Sequence, residues 1–278
     1  MGAAPNDNTG KKGISRQFMY LLTVLAILLP LVFPVGMPVS VTPWVEKGYQ
    51  HVEKLNPGDK VLISFDYSAS GAADIHPAAE AIFKHLMDKD VKVITVAFVA
   101  EGNRFPGMLM SAWEEQGKVY GEDFIHLGFL SGHETGLAAL FADIPGAAPV
   151  DSRGNPVTSY PIMDGVKTVA DCKMFIGLSG GNPGPQQYVR QLEPYQGVEI
   201  FTACTAAIAP TVEPYLASGQ IVGFVGGLKG AAEYETVMGY AGKASANMDA
   251  QSFAHLLVIG FIVAGNIIHF TSKKNEGN

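Results

Sequence analysis

Six short runs of small and polar residues each follow an apolar stretch: Asp66-Tyr67-Ser68, Ala100-Glu101-Gly102, Ser131-Gly132-His133-Glu134, Ser179-Gly180-Gly181-Asn182, Thr205 and Gly226-Gly227. If the apolar stretches are parallel strands, these runs are the carboxyl ends at which open α/β sheets bind ligands. They hold hydroxyls, carboxylates, an imidazole and exposed backbone. The run at 179–184 (SGGNPG) leads into a helix expected from Pro185, so its N–H groups could hold a phosphate or carboxylate. A plain tight turn explains the same residues, because Gly and Pro are strong turn formers. The run Gly226-Gly227-Leu228-Lys229-Gly230 passes directly from strand to helix, with Lys229 placed to meet an anion. Three glycines in five residues imply close backbone approach to a ligand, a neighbouring subunit or the adjacent strand. The candidate ligand-binding set is Asp66, Ser179, Gly180, Gly181, Gly226, Gly227, Lys229 and Gly230.

Catalytic and metal chemistry find less. Ser179, His133 and Asp66 can be arranged as a triad on paper, but no GxSxG elbow is present. No GxGxxG and no P-loop Gly-Lys-Ser/Thr occurs, so no cofactor is assigned. His76, His85 and His126 show no metal-ligand spacing. His133-Glu134 reads as the start of a helix, with Glu134 favoured by its dipole, and Asp74 as a cap just before Pro77. Cys172 and Cys204 lack CxxC spacing and are expected to be buried free thiols. No catalytic or metal-binding residue is assigned.

The elements that must position these residues alternate. Apolar strands are expected over 61–65, 91–99, 123–130, 173–178, 198–204 and 221–225, and helices over 77–87, 107–117, 133–141, 185–192, 210–217 and 228–238. The segment 144–161 reads as a long surface loop. Nearly continuous apolar runs are typical of parallel strands covered on both faces. The fold class expected is therefore α/β, a doubly wound, mostly parallel sheet, with strand order left open.

Two apolar stretches, 18–35 and 253–270, flank this domain. Each approaches the roughly 20 residues of helix that cross a 30 Å hydrocarbon core. Lys11, Lys12 and Arg16 precede the first, and Lys273 and Lys274 follow the second, so both tails are expected inside and the domain outside. The first lacks a small-residue cleavage site and reads as a signal anchor. The organisation expected is a tail over 1–17, a span over 18–36, an interfacial amphipathic helix and linker over 37–56 and the α/β domain over 57–239. A polar, mobile linker over 240–252, a span over 253–270 and a tail over 271–278 complete it. Trp44 and Tyr49 suit an interfacial position.

The 278-residue chain has a net charge of −7, and its middle holds 14 basic and 24 acidic residues, a net of −10. Such a domain repels nucleic acid, so the bilayer and other membrane subunits are the expected partners. In the second span, Gly260, Ala264 and Gly265 form a smooth strip, and Asn266 is an amide that in lipid seeks a partner across a helix interface.

Asn56-Pro57-Gly58 before the strand ending in Asp66-Tyr67 resembles a group of prokaryotic membrane proteins of uncharacterised function. So do Ser218-Gly219-Gln220, the run from Gly226 to Glu235, Met248-Asp249-Ala250-Gln251-Ser252 and Gly265-Asn266. What the resemblance implies is architecture alone: span, α/β domain, span. The function expected is assembly or scaffolding, as a homo-oligomer or a subunit of a larger membrane complex. A sensor domain for a small anion or nucleotide-like ligand is the alternative, and a hydrolase using Ser179 or Ser131 with His133 a second.

Overall fold

The computed structural model describes residues 15–37 and 39–275, so Lys11, Lys12, most of the first expected tail and the end of the second lie outside the described residues. The described chain separates into two compact units, one running Met37–Ser245 and the other formed by residues up to Gly36 and from Ala246 onward.

The larger unit is built on six parallel strands: β1 (Lys60–Asp66), β2 (Lys92–Ala97), β3 (Phe124–Phe129), β4 (Met174–Ser179), β5 (Glu199–Cys204) and β6 (Gly223–Gly226). Their order is β3-β2-β1-β4-β5-β6, the Rossmann-like arrangement in which the chain reverses direction between β1 and β4. The strand interiors are buried nearly throughout, which is why they read as unbroken apolar runs rather than alternating ones.

Helices cover both faces. On one lie α2 (Pro43–Glu53), α3 (Ala69–Asp88), α4 (Arg104–Glu114) and α9 (Gly227–Val237); on the other α5 (His133–Ala142), α7 (Pro185–Leu192) and α8 (Ala209–Ala217). The short α6 (Ile144–Ala147) follows α5.

Several expectations need correcting. Helix α3 starts at Ala69 and carries Pro77 inside it, so Asp74 lies within the helix and does not cap it. Segment 144–161 is not a featureless surface loop. It contains α6 and two 3₁₀ turns, and Asp151 organises it by accepting hydrogen bonds from Tyr120, Tyr160 and the backbone N–H groups of Arg153 and Asn155. Val157 there, and Ile162 and Met163 just beyond it, join the core.

The segment expected on the membrane surface also belongs to the α/β unit. Val45, Gly48 and Val52 of α2 are buried, and the helix packs on β6 and α9. A Cβ at Gly48 would stand 2.5 Å from the Phe201 ring, and one at Gly223 would stand 2.2 Å from the Gly48 Cα. Tyr49 stacks on His85 at 4.8 Å. The His85 imidazole has its pKa lowered by burial, against the opposing pull of Glu53. It then donates from Nε2 to Glu53 and accepts at Nδ1 from the Tyr234 hydroxyl, both at 2.8 Å, tying α2, α3 and α9 together.

Two helices enter the second unit. Helix α1 (Arg16–Val32) has Pro30 near its end, and α10 (Lys243–Asn275) runs for 33 residues. Among the described residues one helix is long and apolar enough to cross a membrane: the Lys243–Thr271 stretch, an 18-residue window of which has mean hydropathy 2.0. Helix α1, at 17 residues, is shorter. The expected mobile linker is instead helical from Lys243. Within the second unit, Asp249 accepts from the backbone N–H groups of Val35 and Gly36 at 2.8 Å.

Candidate functional site

The reversal point of the sheet brings together the first part of the sequence-predicted set. Asp66 and Ser179 are register partners at the ends of β1 and β4, and the Gly180 N–H donates to the Asp66 carbonyl at 2.9 Å. The groups there are engaged with one another. Asp66 Oδ2 accepts from the Ser64 and Tyr188 hydroxyls, each at 2.6 Å, and Oδ1 accepts from the Phe98 N–H at 2.8 Å. Burial raises the Asp66 carboxyl to about 6, offset by the hydrogen bonds from Ser64, Tyr188 and Phe98 and by the charge of His133.

Ser179 is equally committed. Its Oγ donates to the Pro183 carbonyl at 2.6 Å and accepts from the Gly181 N–H at 3.0 Å. The run at 179–184 is thus a turn folded on its own serine. Gly184 is required there, since a Cβ would stand 2.4 Å from the Gly181 carbonyl, whereas one at Gly181 meets open space.

Neither Ser179 nor Ser131 hydrogen-bonds to His133, so the hydroxyl-to-imidazole contact that activates a serine nucleophile is absent among the described residues. His133 is exposed, with φ +45°, and follows Gly132 at φ +99°. Its neighbour Glu134 pairs with Arg190 and Gln191 of α7. His126 is buried in β3 between Thr95 and Asn103, and burial lowers its pKa. Cys172 and Cys204 are buried and unbridged, their thiols pushed up to about 12 by burial. Among the described residues no group of three or more His, Cys, Asp or Glu side chains is placed to hold a metal.

The second part of the set lies at the end of β6, away from the reversal point. Asp74 meets the start of α9: its Oδ1 accepts from the Leu228 N–H at 3.0 Å and its Oδ2 from the Ala206 N–H at 3.2 Å. The carboxylate that sequence reading places on α3's own N-terminus therefore sits at the dipole end of α9, where an external anion was expected. Gly227 adopts φ +59°, and a Cβ there would stand 2.8 Å from Asp74. Gly230 brings α9 against β6, with a Cβ meeting Val225 at 3.1 Å. Of the three partners the glycines left open, the strand accounts for Gly230, while Gly227 makes room for the Asp74 carboxylate.

Lys229 lies 2.9 Å from Glu233, whose other oxygen accepts from the Thr42 N–H and hydroxyl at 2.8 and 2.7 Å. Gly226, Lys229 and Gly230 border an open-mouthed cavity of about 220 Å³, lined elsewhere by Trp44, Leu216 and Phe224. Sequence reading missed this cavity because Trp44 lies far from the glycine run in the chain and was expected at the membrane. Helix α10 carries the remaining candidates. A Cβ at Gly260 or Gly265 would meet no atom within 4 Å, and Asn266 is exposed.

Comparison with protein-family models, curated proteins and solved structures finds no match for this chain.

Proposed function

We propose that this chain is a two-span membrane protein whose α/β domain lies outside the cytoplasm and serves assembly, with copies of itself or with other membrane subunits. The observation that carries the reading is on α10. Gly260 and Gly265 face open space along an apolar helix, and Asn266 has no hydrogen-bond partner among the described residues. In lipid, small residues let backbones approach closely, and an unpaired amide is satisfied by a neighbouring helix. The reversal point of the sheet supports the same reading, because its carboxylate and hydroxyl are spent on internal hydrogen bonds rather than presented to a substrate.

Native mass spectrometry of the full chain released from a mild detergent tests this. The expected result is a defined multimer or a partner-bound mass, shifted toward monomer by the double substitution G260L/G265L. A monomer without partner across several mild detergents overturns the reading.

A further inference from the structure

We propose that the cavity at the end of β6 binds a small organic cation: an amine carrying an aromatic or aliphatic body. This goes beyond assembly and does not depend on it. Size comes first. At about 220 Å³ the cavity exceeds the roughly 150 Å³ that is known to admit a benzene ring. Its walls are apolar where Trp44, Val45, Leu216 and Phe224 meet.

Charge then selects the head group. Three charged side chains line the cavity: Glu213, Lys229 and Glu233. Lys229 and Glu233 compensate each other at 2.9 Å, and Glu233 takes two further hydrogen bonds from Thr42. Glu213, one turn into α8, has neither a hydrogen bond nor an ion pair among the described residues. The lining therefore presents one uncompensated negative charge beside two aromatic rings. An ammonium group gains from both, because a carboxylate attracts it directly and a ring face attracts it through its quadrupole. The Trp44 ring already accepts a cation in this structure, with the Lys47 ammonium 4.7 Å from its centroid. A carboxylate ligand of the same shape would meet a lysine already paired and the repulsion of Glu213.

Isothermal titration of the full chain in mild detergent, with phenethylammonium chloride and with phenylacetate as its anionic counterpart, decides the matter. The expected result is saturable binding of the amine and none of the acid. E213Q should weaken that binding about two- to fivefold, the range for an ion pair with a solvent-exposed carboxylate. The cavity-filling A209L should abolish it, a control that partition into detergent would not obey. Glu213 is exposed and has no partner among the described residues, so E213Q leaves folding intact. No saturable uptake of the amine, equal or stronger binding of phenylacetate, or unchanged binding in either variant overturns the proposal.

Discussion

Asp66 releases its proton near pH 6 rather than near 3.8, because it is fully enclosed and three donors only partly replace the water it has lost. The folded protein therefore holds this proton to a higher pH than the unfolded chain does. The sign follows from linkage: stability from this group is greatest below 3.8, declines as pH rises toward 6, and is level above that. The decline amounts to about 3 kcal/mol. In D66N the amide oxygen keeps an acceptor for the Phe98 N–H, and its NH₂ faces hydroxyls that can turn to accept. Chemical denaturation at pH 4, 5, 6 and 7 should show D66N gaining on the wild type as pH rises, by about that amount. An identical pH slope in both proteins would show that Asp66 does not titrate there. The sequence marks Asp66 as a strand-end acid, yet it is silent on the closure of the site. That closure comes from Tyr188, 122 residues away. Asp74 teaches the same lesson. A capping residue type is visible from the chain, but which helix it caps depends on where α9 arrives.

At the scale of elements, the start of α10 is set by a buried acid. Glu235 Oε1 accepts from the Ala244 N–H, and Oε2 accepts from the N–H groups of Gly242 and Ser245 and from the Ser245 hydroxyl, all between 2.7 and 2.9 Å. These are the backbone donors that a helix N-terminus leaves unpaired, gathered onto one negative charge. That is why residues 243–252, polar enough to read as a mobile linker, are helical. Hydropathy finds the apolar part of the helix and stops where the polar part begins. E235A should leave these buried donors unsatisfied and destabilise the start of the helix by about 2–5 kcal/mol. Hydrogen exchange checks it: the amides of Gly242, Ala244 and Ser245 should lose protection while those of β1 and β4 keep theirs. Undiminished protection in E235A would assign the helix start to something other than this carboxylate. The strands and α7 were legible nearly to the residue, since a covered parallel sheet writes itself as apolar runs. Helix α2 was legible as a helix but not in its role. An amphipathic face looks the same whether it meets lipid or a protein core, and Val45 and Val52 meet the core.

For the whole molecule, the sheet order was beyond the sequence because neighbouring strands are chosen by the crossovers, and local patterns do not record them. Placement relative to the membrane rests on charge at the flanks, which is a property of the chain entire. Asn155 is exposed in the segment ordered by Asp151, while both native cysteines are buried with thiols pushed up to about 12. N155C therefore offers a single reactive thiol. A membrane-impermeant maleimide should label it in intact cells, and labelling only after lysis would place the domain in the cytoplasm.

The seat of α2 on the sheet has a hereditary corollary. Gly48 and Gly223 come from opposite ends of the domain, yet a Cβ at Gly223 would run into the Gly48 backbone and one at Gly48 into the Phe201 ring. Neither position can take a side chain while α2 keeps this seat, and changing one does nothing to free the other. A distant descendant of this chain that kept the same seat would be known by retaining both glycines, even after its other residues had diverged.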